Sequence, residues 1–239
     1  MKNLKSIFSS TIILAAMIFS SCNTEEEVPA FGNGEGKLGM AFKLANGNIN
    51  SSNARIANAL VLESGFIQIK ELELEVDGRD DNGEFEKEIE INFKDIKKVT
   101  FDQFDSSTDF FINIPEGEYY EIELEIDLID YKNEPSIYIE GTFNGTPLVF
   151  EYYGDEIDFE VEIEAEDDDE YFKIDRINNP LALFEINALN WFRNVSESEL
   201  ENAEIKDGKI LLSKEVNREI YKKVVESIIA SSEIEIELN

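Results

Sequence analysis

Apolar and polar residues alternate along most of this chain, and a period of two predicts strands rather than helices. The clearest run is Tyr119–Leu128, where Tyr120, Ile122, Leu124, Ile126 and Leu128 fall on one face and Glu121, Glu123, Glu125 and Asp127 on the other. Ile157–Glu164 repeats it, with Phe159, Val161 and Ile163 opposed to Glu160, Glu162 and Glu164. Lys37–Leu44 and Ala59–Leu62 are two further strands around a polar loop, Asn46–Asn53. Phe66–Val76 alternates in two phases, Ile67 and Ile69 and then Leu72, Leu74 and Val76, so a bulge is expected near Lys70-Glu71. Asp80-Asp81-Asn82-Gly83 predicts a hairpin whose returning strand carries Phe85, Ile89 and Ile91, and Asn144-Gly145 predicts a second, joining Ser136–Phe143 to Leu148–Tyr153. Seven or more strands joined by short turns predict a mainly β fold, an antiparallel β-sandwich, with a barrel as the other way of closing such a sheet.

The pattern changes after Glu166. The charge run Asp167-Asp168-Asp169-Glu170 and Asn178-Asn179-Pro180 precede an apolar stretch, Leu181–Trp191, whose spacing fits neither a helix nor a strand. Ser196 followed by Glu199 is a capping box for a short helix. Lys209–Leu212 predicts a strand and Ser213 a helix cap. Val216, Ile220, Tyr221, Val224, Val225, Ile228 and Ile229 then make the apolar stripe of a helix of about seventeen residues. Glu233–Leu238 alternates again as a last strand. A strand, a long amphipathic helix and a strand are enough for a crossover between parallel neighbours. The expected organisation is a β-sandwich over residues 37–165 with a C-terminal α/β extension, 166–239, packed on it.

The first residues read as an export signal. Lys2 and Lys5 precede the apolar run Ile7–Phe19, which is too short for a stable transmembrane helix. Phe19-Ser20-Ser21-Cys22 resembles the lipobox of bacterial lipoproteins, with phenylalanine in place of the usual leucine, and Cys22 is the only cysteine in the chain. The alternative is an ordinary cleaved signal with an incidental cysteine. Asn23-Thr24-Glu25-Glu26-Glu27 resembles the acidic signal that sends Bacteroidota lipoproteins to the outer face of the outer membrane, and it would serve equally as a solvated tether over residues 22–36.

Two segments extend the resemblance. Phe66-Ile67-Gln68-Ile69-Lys70-Glu71-Leu72-Glu73-Leu74-Glu75-Val76-Asp77-Gly78 and Phe110-Phe111-Ile112-Asn113-Ile114-Pro115-Glu116-Gly117-Glu118-Tyr119-Tyr120-Glu121-Ile122 resemble a family of uncharacterised Bacteroidota surface lipoproteins with a transthyretin-like β-sandwich. The shared pattern is a strand ending in an acidic turn, then a Pro-x-Gly-x-Tyr turn, here Pro115, Gly117 and Tyr119, leading into a long alternating strand. The similarity to fimbrillin-like surface proteins is looser. Both resemblances imply a surface location and a binding or structural role, and neither supplies catalytic residues.

Composition narrows the chemistry. The chain has 239 residues, 53 Asp and Glu against 21 Lys and Arg, no histidine, and a formal charge of −32. Such a charge repels nucleic acid backbones. Triads, zinc sites and haem ligation that depend on imidazole are excluded. A pair of carboxylates is the remaining catalytic route, but it needs one acid in an apolar pocket, whereas alternation places these acids on solvated faces, so no enzyme is expected. Calcium is the one cofactor the residues suggest. Asp77, Asp80, Asp81 and Asn82 in the hairpin and Asp167, Asp168 and Asp169 are the candidate ligands, although Asp and Asn are also ordinary turn residues and the spacing is not that of an EF-hand. Acidic strand faces admit three readings: lysines interleave, the strands are not neighbours, or cations or a basic partner neutralise them. Screening makes a merely solvated face sufficient. Tyr119, Tyr138 and Tyr153 point away from the apolar face by strand phase and form a candidate glycan platform, while Tyr120 and Tyr152 point inward. Trp191 is read as packing under the C-terminal helix.

The expected function is that of a lipid-anchored outer-membrane protein facing the exterior, with a non-catalytic binding or surface-structural role and a glycan or surface protein as partner. The alternatives are a carbohydrate-binding component of a glycan-uptake system and a fimbrillin-like adhesin subunit, for which Arg55 would be a processing site.

Overall fold

The computed structural model describes residues 28–45, 59–104, 107–165, 171–231 and 233–238. Cys22, the acidic signal after it, Arg55 and Asp167–Asp169 lie outside the described residues.

Two sheets enclose the core. The smaller one contains β1 (Ala30–Gly32), β2 (Gly36–Leu44), β5 (Phe110–Ile114) and β11 (Leu181–Ile186) in the order β1-β5-β2-β11. The larger one is organised around a long hairpin, β3 (Leu60–Asp80, 21 residues) and β4 (Gly83–Asp102, 20 residues). This hairpin turns at Asp81-Asn82 as its sequence requires. Asp80 accepts from the Asn82 backbone N–H at 2.7 Å, and Gly83 takes a φ of 125°. The two predicted strands Ala59–Leu62 and Phe66–Val76 are one continuous β3, interrupted by register shifts between Leu62 and Ser64 and, as the sequence predicts, between Ile69 and Glu71.

One edge of β3 pairs with β4 from Ser64 to Asp80. The other edge is shared, with Ile69–Arg79 pairing β6 (Gly117–Leu128) and Leu60–Ile67 pairing β7 (Ile137–Phe143). β6 and β7 therefore run in series along a single edge of β3. β8 (Thr146–Tyr152) and β9 (Asp158–Ala165) pair with β7 and β6 and are likewise in series. The β7–β8 turn has Asn144 and Gly145 at φ 49° and 78°, the left-handed pair that a two-residue hairpin needs. β10 (Phe172–Ile174) pairs with the start of β6.

The chain beyond residue 170 is woven into both sheets. β11 adds to β2 in the smaller sheet, β13 (Lys209–Leu212) to β8, and β14 (Glu233–Leu238) to β9, all three in parallel, while the short β12 (Ile205–Lys206) pairs with β13. The antiparallel sandwich thus carries parallel strands at its edges. Because β8 and β9 are collinear, β13 and β14 extend the same edge. The helix between them, α3 (Arg218–Ile229), is an excursion from that edge and not the crossover between parallel neighbours that its length suggested.

Three short helices complete the cover. Leu181–Trp191 fits no single period because it is half strand and half helical turn: β11 gives way at Asn187 to α1 (Ala188–Trp191). Ser196 and Glu199 form the predicted capping box of α2 (Glu197–Glu201). The cap predicted at Ser213 is corrected. Its hydroxyl accepts from the Glu215 and Val216 backbone N–H groups and closes a turn before the helix. α3 starts only after Asn217, which is held left-handed by donating to the carbonyls of Glu204 and Leu211, so the helix has 12 residues. The inner face of the large sheet has two covers. Phe42, stacked on Phe110 and Phe184, belongs to the small sheet, and Tyr221 of α3 stacks on Phe150 of β8 at 5.8 Å. Its outer face has neither cover.

Candidate functional site

Strand register brings the acidic residues of four sequence segments together on that outer face. In an antiparallel pair, residues directly opposite share a face with Cβ atoms about 5 Å apart. β4, β3, β6 and β9 pair so that Glu90, Glu73, Glu125 and Glu160 form one row, and Glu88, Glu75, Glu123 and Glu162 the next. Glu86, Asp77 and Glu121 begin a third, and Asn92, Glu71, Asp127 and Asp158 flank the first. The backbone register carries the first two rows on to Glu233 and Glu235 of β14. Of the readings left open by sequence, the strands are neighbours in register, and lysines do not interleave. Basic side chains stand at the two ends. Lys70, at the bulge, lies 3.6 Å from Glu71 and 3.5 Å from Asp127, and Arg79 donates to Glu118 at 2.6 Å.

Crowding perturbs the carboxyls. Glu71 is buried, and its hydrogen bond to Glu90, with burial second, raises its pKa, while the same bond lowers that of Glu90. Burial, then the neighbouring Glu123, Glu86 and Asp77, raises Glu75. Burial and Asp127 raise both Glu125 and Asp158. Two groups converge: Glu71, Glu73 and Asp127, and Glu125, Asp127 and Asp158, each offering carboxylate oxygens within 4.8 Å of one another. Asp77 Oδ1 is buried and has no hydrogen-bond partner among the described residues.

The calcium ligands predicted in the β3–β4 hairpin do not converge. Alternation puts Asp77 on the outer face and Asp80 on the other, next to Tyr119. Asp80 is held low by its Asn82 turn bonds, and Asp81 is exposed. The convergent acids sit instead beside the bulge of β3, where β6 ends just after Asp127 and β9 begins at Asp158. Three of the acidic faces were visible in the sequence and Glu86-x-Glu88-x-Glu90 is the signal for the fourth, but nothing local places the segments side by side, because register is set by pairing between distant segments.

The tyrosine platform is corrected in part. A register shift between Asp77 and Gly78 turns the first residues of β6 over, so Tyr119 is fully buried and Tyr120 faces outward, where it meets Tyr171. Tyr119 packs against Phe85 and Phe172 and donates from its hydroxyl to the Pro115 carbonyl at 2.5 Å. The Pro-x-Gly-x-Tyr motif is thus a tyrosine corner that locks the passage from β5 to β6 between sheets. Gly78 opposite it is required, since a Cβ there would lie 2.6 Å from the Glu118 carbonyl oxygen. Tyr138 stays on the outer face, stacked on Phe66 at 5.1 Å and bonded to Glu140, and Lys98 covers Phe66 at 3.8 Å. These rings border a shallow hollow with Ser64, Thr100 and Asp102. Tyr153 lies beyond β8, bonded to the Asn133 carbonyl.

No protein-family model, no curated protein and no solved structure matches the chain. No helix among the described residues is long and apolar enough to cross a membrane.

Proposed function

We propose that this protein is a lipid-anchored, outward-facing outer-membrane lipoprotein that binds without catalysis, and that the acidic outer face of its large sheet is the working surface. The observation that carries the binding reading is the register of the glutamate rows. Like charges directly opposite on neighbouring strands are destabilising, and here they recur across four strands with basic side chains only at the ends. Divalent cations, alone or bridging to an anionic surface polymer, would relieve that repulsion and satisfy Asp77 Oδ1. Calcium fits the all-oxygen donor set. The lipid anchor rests on Cys22 and the residues before it.

Two measurements test the halves separately. Calcium titration of the mature chain should raise the melting temperature saturably, by a mass-action shift that chelator reverses; an unchanged melting temperature rejects the cation reading. Cys22→Ala should move the protein from the detergent phase to the aqueous phase, and retention in the detergent phase rejects the anchor. A glycan reading is favoured by one feature, the hollow beside Phe66 and Tyr138, and retention on a glycan array that Tyr138→Ala abolishes would support it.

A further inference from the structure

A second candidate site lies inside the sandwich and is independent of the acidic face. A cavity of about 210 Å³ opens where the two covers of the large sheet meet. One wall comes from the small sheet, where Phe42 and Phe184 stack at 4.7 Å with their planes 14° apart. The other comes from β9 and α1, where Phe159 and Trp191 stack with their planes 15° apart. All four rings are almost completely buried. The polar lining residues are on the accessible side: Glu185 and Asn187 are exposed, and Asn190 and Ser231 are half-buried.

An apolar void is costly to leave empty in a chain of ordinary, marginal stability. Interiors are otherwise packed to crystal density. A dry cavity of about 150 Å³ lined by aliphatic and aromatic side chains already accepts benzene, so this one has room for a ring with a substituent. Walls made of aromatic rings favour a flat ring, which they can meet by offset stacking or edge-to-face contact. Glu185 near the opening is paired with Lys43 at 3.4 Å, so it is the net charge of −32 that disfavours an anion such as a fatty acid or an aromatic carboxylate. Asn187, Asn190 and Ser231 supply hydrogen bonds to a polar substituent pointing outward.

We infer that this cavity is a binding site for a small neutral or cationic aromatic molecule of one or two rings, its ring between the Phe42/Phe184 and Phe159/Trp191 pairs and its polar substituent at Asn187 and Asn190. The reading of Trp191 as a residue packed under the C-terminal helix is thereby extended, since it also forms a wall.

Trp191 is the only tryptophan in the chain, so its emission reports on the site directly. The experiment titrates the mature protein with 4-nitrobenzyl alcohol, 4-nitrobenzylamine and 4-nitrobenzoate, three quenchers that share a ring and differ in charge. The expected result is saturable quenching by the alcohol and the amine, with half-saturation at concentrations at least tenfold lower than for the benzoate. Ile186→Phe, which fills the cavity from β11, should abolish saturation while a cooperative melting transition shows the variant folded. Ile126→Phe repeats the test from the opposite wall if the first variant does not fold. Linear quenching of equal slope by all three compounds overturns the site. An equal midpoint for the anion overturns the ligand class, and unchanged saturation in a folded cavity-filling variant overturns the location.

Discussion

Glu125 stands at the centre of the glutamate rows, and replacing it with glutamine removes one charge while keeping shape and hydrogen-bonding capacity. It lies opposite Glu73 on β3 and Glu160 on β9, and its carboxylate converges with Asp127 and Asp158. Like charges directly opposite cost roughly 0.2–1 kcal/mol per pair. Glu125 is exposed, so screening keeps each pair toward the lower end. Two direct pairs then predict that Glu125→Gln stabilises the fold by about 0.5–1 kcal/mol in low salt without divalent cations. For a chain of this size, 1 kcal/mol corresponds to about 2–4 °C in melting temperature. Thermal denaturation followed by circular dichroism at low salt should therefore show a rise of about 1–4 °C that shrinks in concentrated sodium chloride. With saturating calcium the order should reverse, because the variant has lost a ligand that the parent uses. A fall in melting temperature in low salt without calcium, or a rise indifferent to salt, would refute the reasoning, since the rows would then be held by shared protons or packing and not strained by charge.

Three further expectations follow from the same geometry. Glu71, Glu75, Glu125 and Asp158 have pKa values raised on folding, and the stability they contribute is fully present below the ordinary carboxylate range and lost as pH rises through their folded values; Glu199, held at about 2 by Lys223 and the Ser196 backbone, and Asp80 and Asp175, also lowered, contribute stability that is lost as pH falls below about 4. On acidification from neutral pH, melting temperature should thus climb as the raised carboxyls take up protons and turn over below about 4, and a monotonic decline would contradict this. Tyr119→Phe removes the hydroxyl bond to Pro115 and should cost about 1 kcal/mol in denaturant unfolding with an unchanged m-value; a neutral effect would mean the tyrosine corner contributes packing alone. Gly141→Ala would place a Cβ 2.0 Å from the Val61 carbonyl oxygen at the β3–β7 register shift, and should destabilise by about 1–3 kcal/mol or more in the same assay, whereas Gly145→Ala meets open space and strains only its left-handed backbone.

Local features were legible from the chain alone, and tertiary ones were not. The hairpin turns at Asp81-Asn82 and Asn144-Gly145, the bulge after Ile69 and the Ser196–Glu199 capping box are each dictated by residues within a few positions of one another. Errors arose where a distant contact intervened. Tyr119 reads as outward by counting from Ile122, but the register shift opposite Gly78 inverts the count. Ser213 looks like a helix cap, yet Asn217, drawn to Glu204 and Leu211, sets where the helix begins. Leu181–Trp191 has no single period because a strand, paired in parallel with the distant β2, gives way within it to a helical turn.

What the amino-acid sequence determined by itself is the alternation: which residues of each strand face the core, that the opposite face is acidic, and that no imidazole or second thiol is present to do chemistry. Only the tertiary structure decided which strands are neighbours and in what register. Side-chain periodicity is a property of one strand, whereas the meeting of Glu90, Glu73, Glu125 and Glu160 depends on ladders closed between segments many residues apart. The same is true of the cavity, whose walls come from β2, β6, β9, β11 and α1 and whose volume is the remainder left when a sheet and three short helices share the covering of one longer sheet.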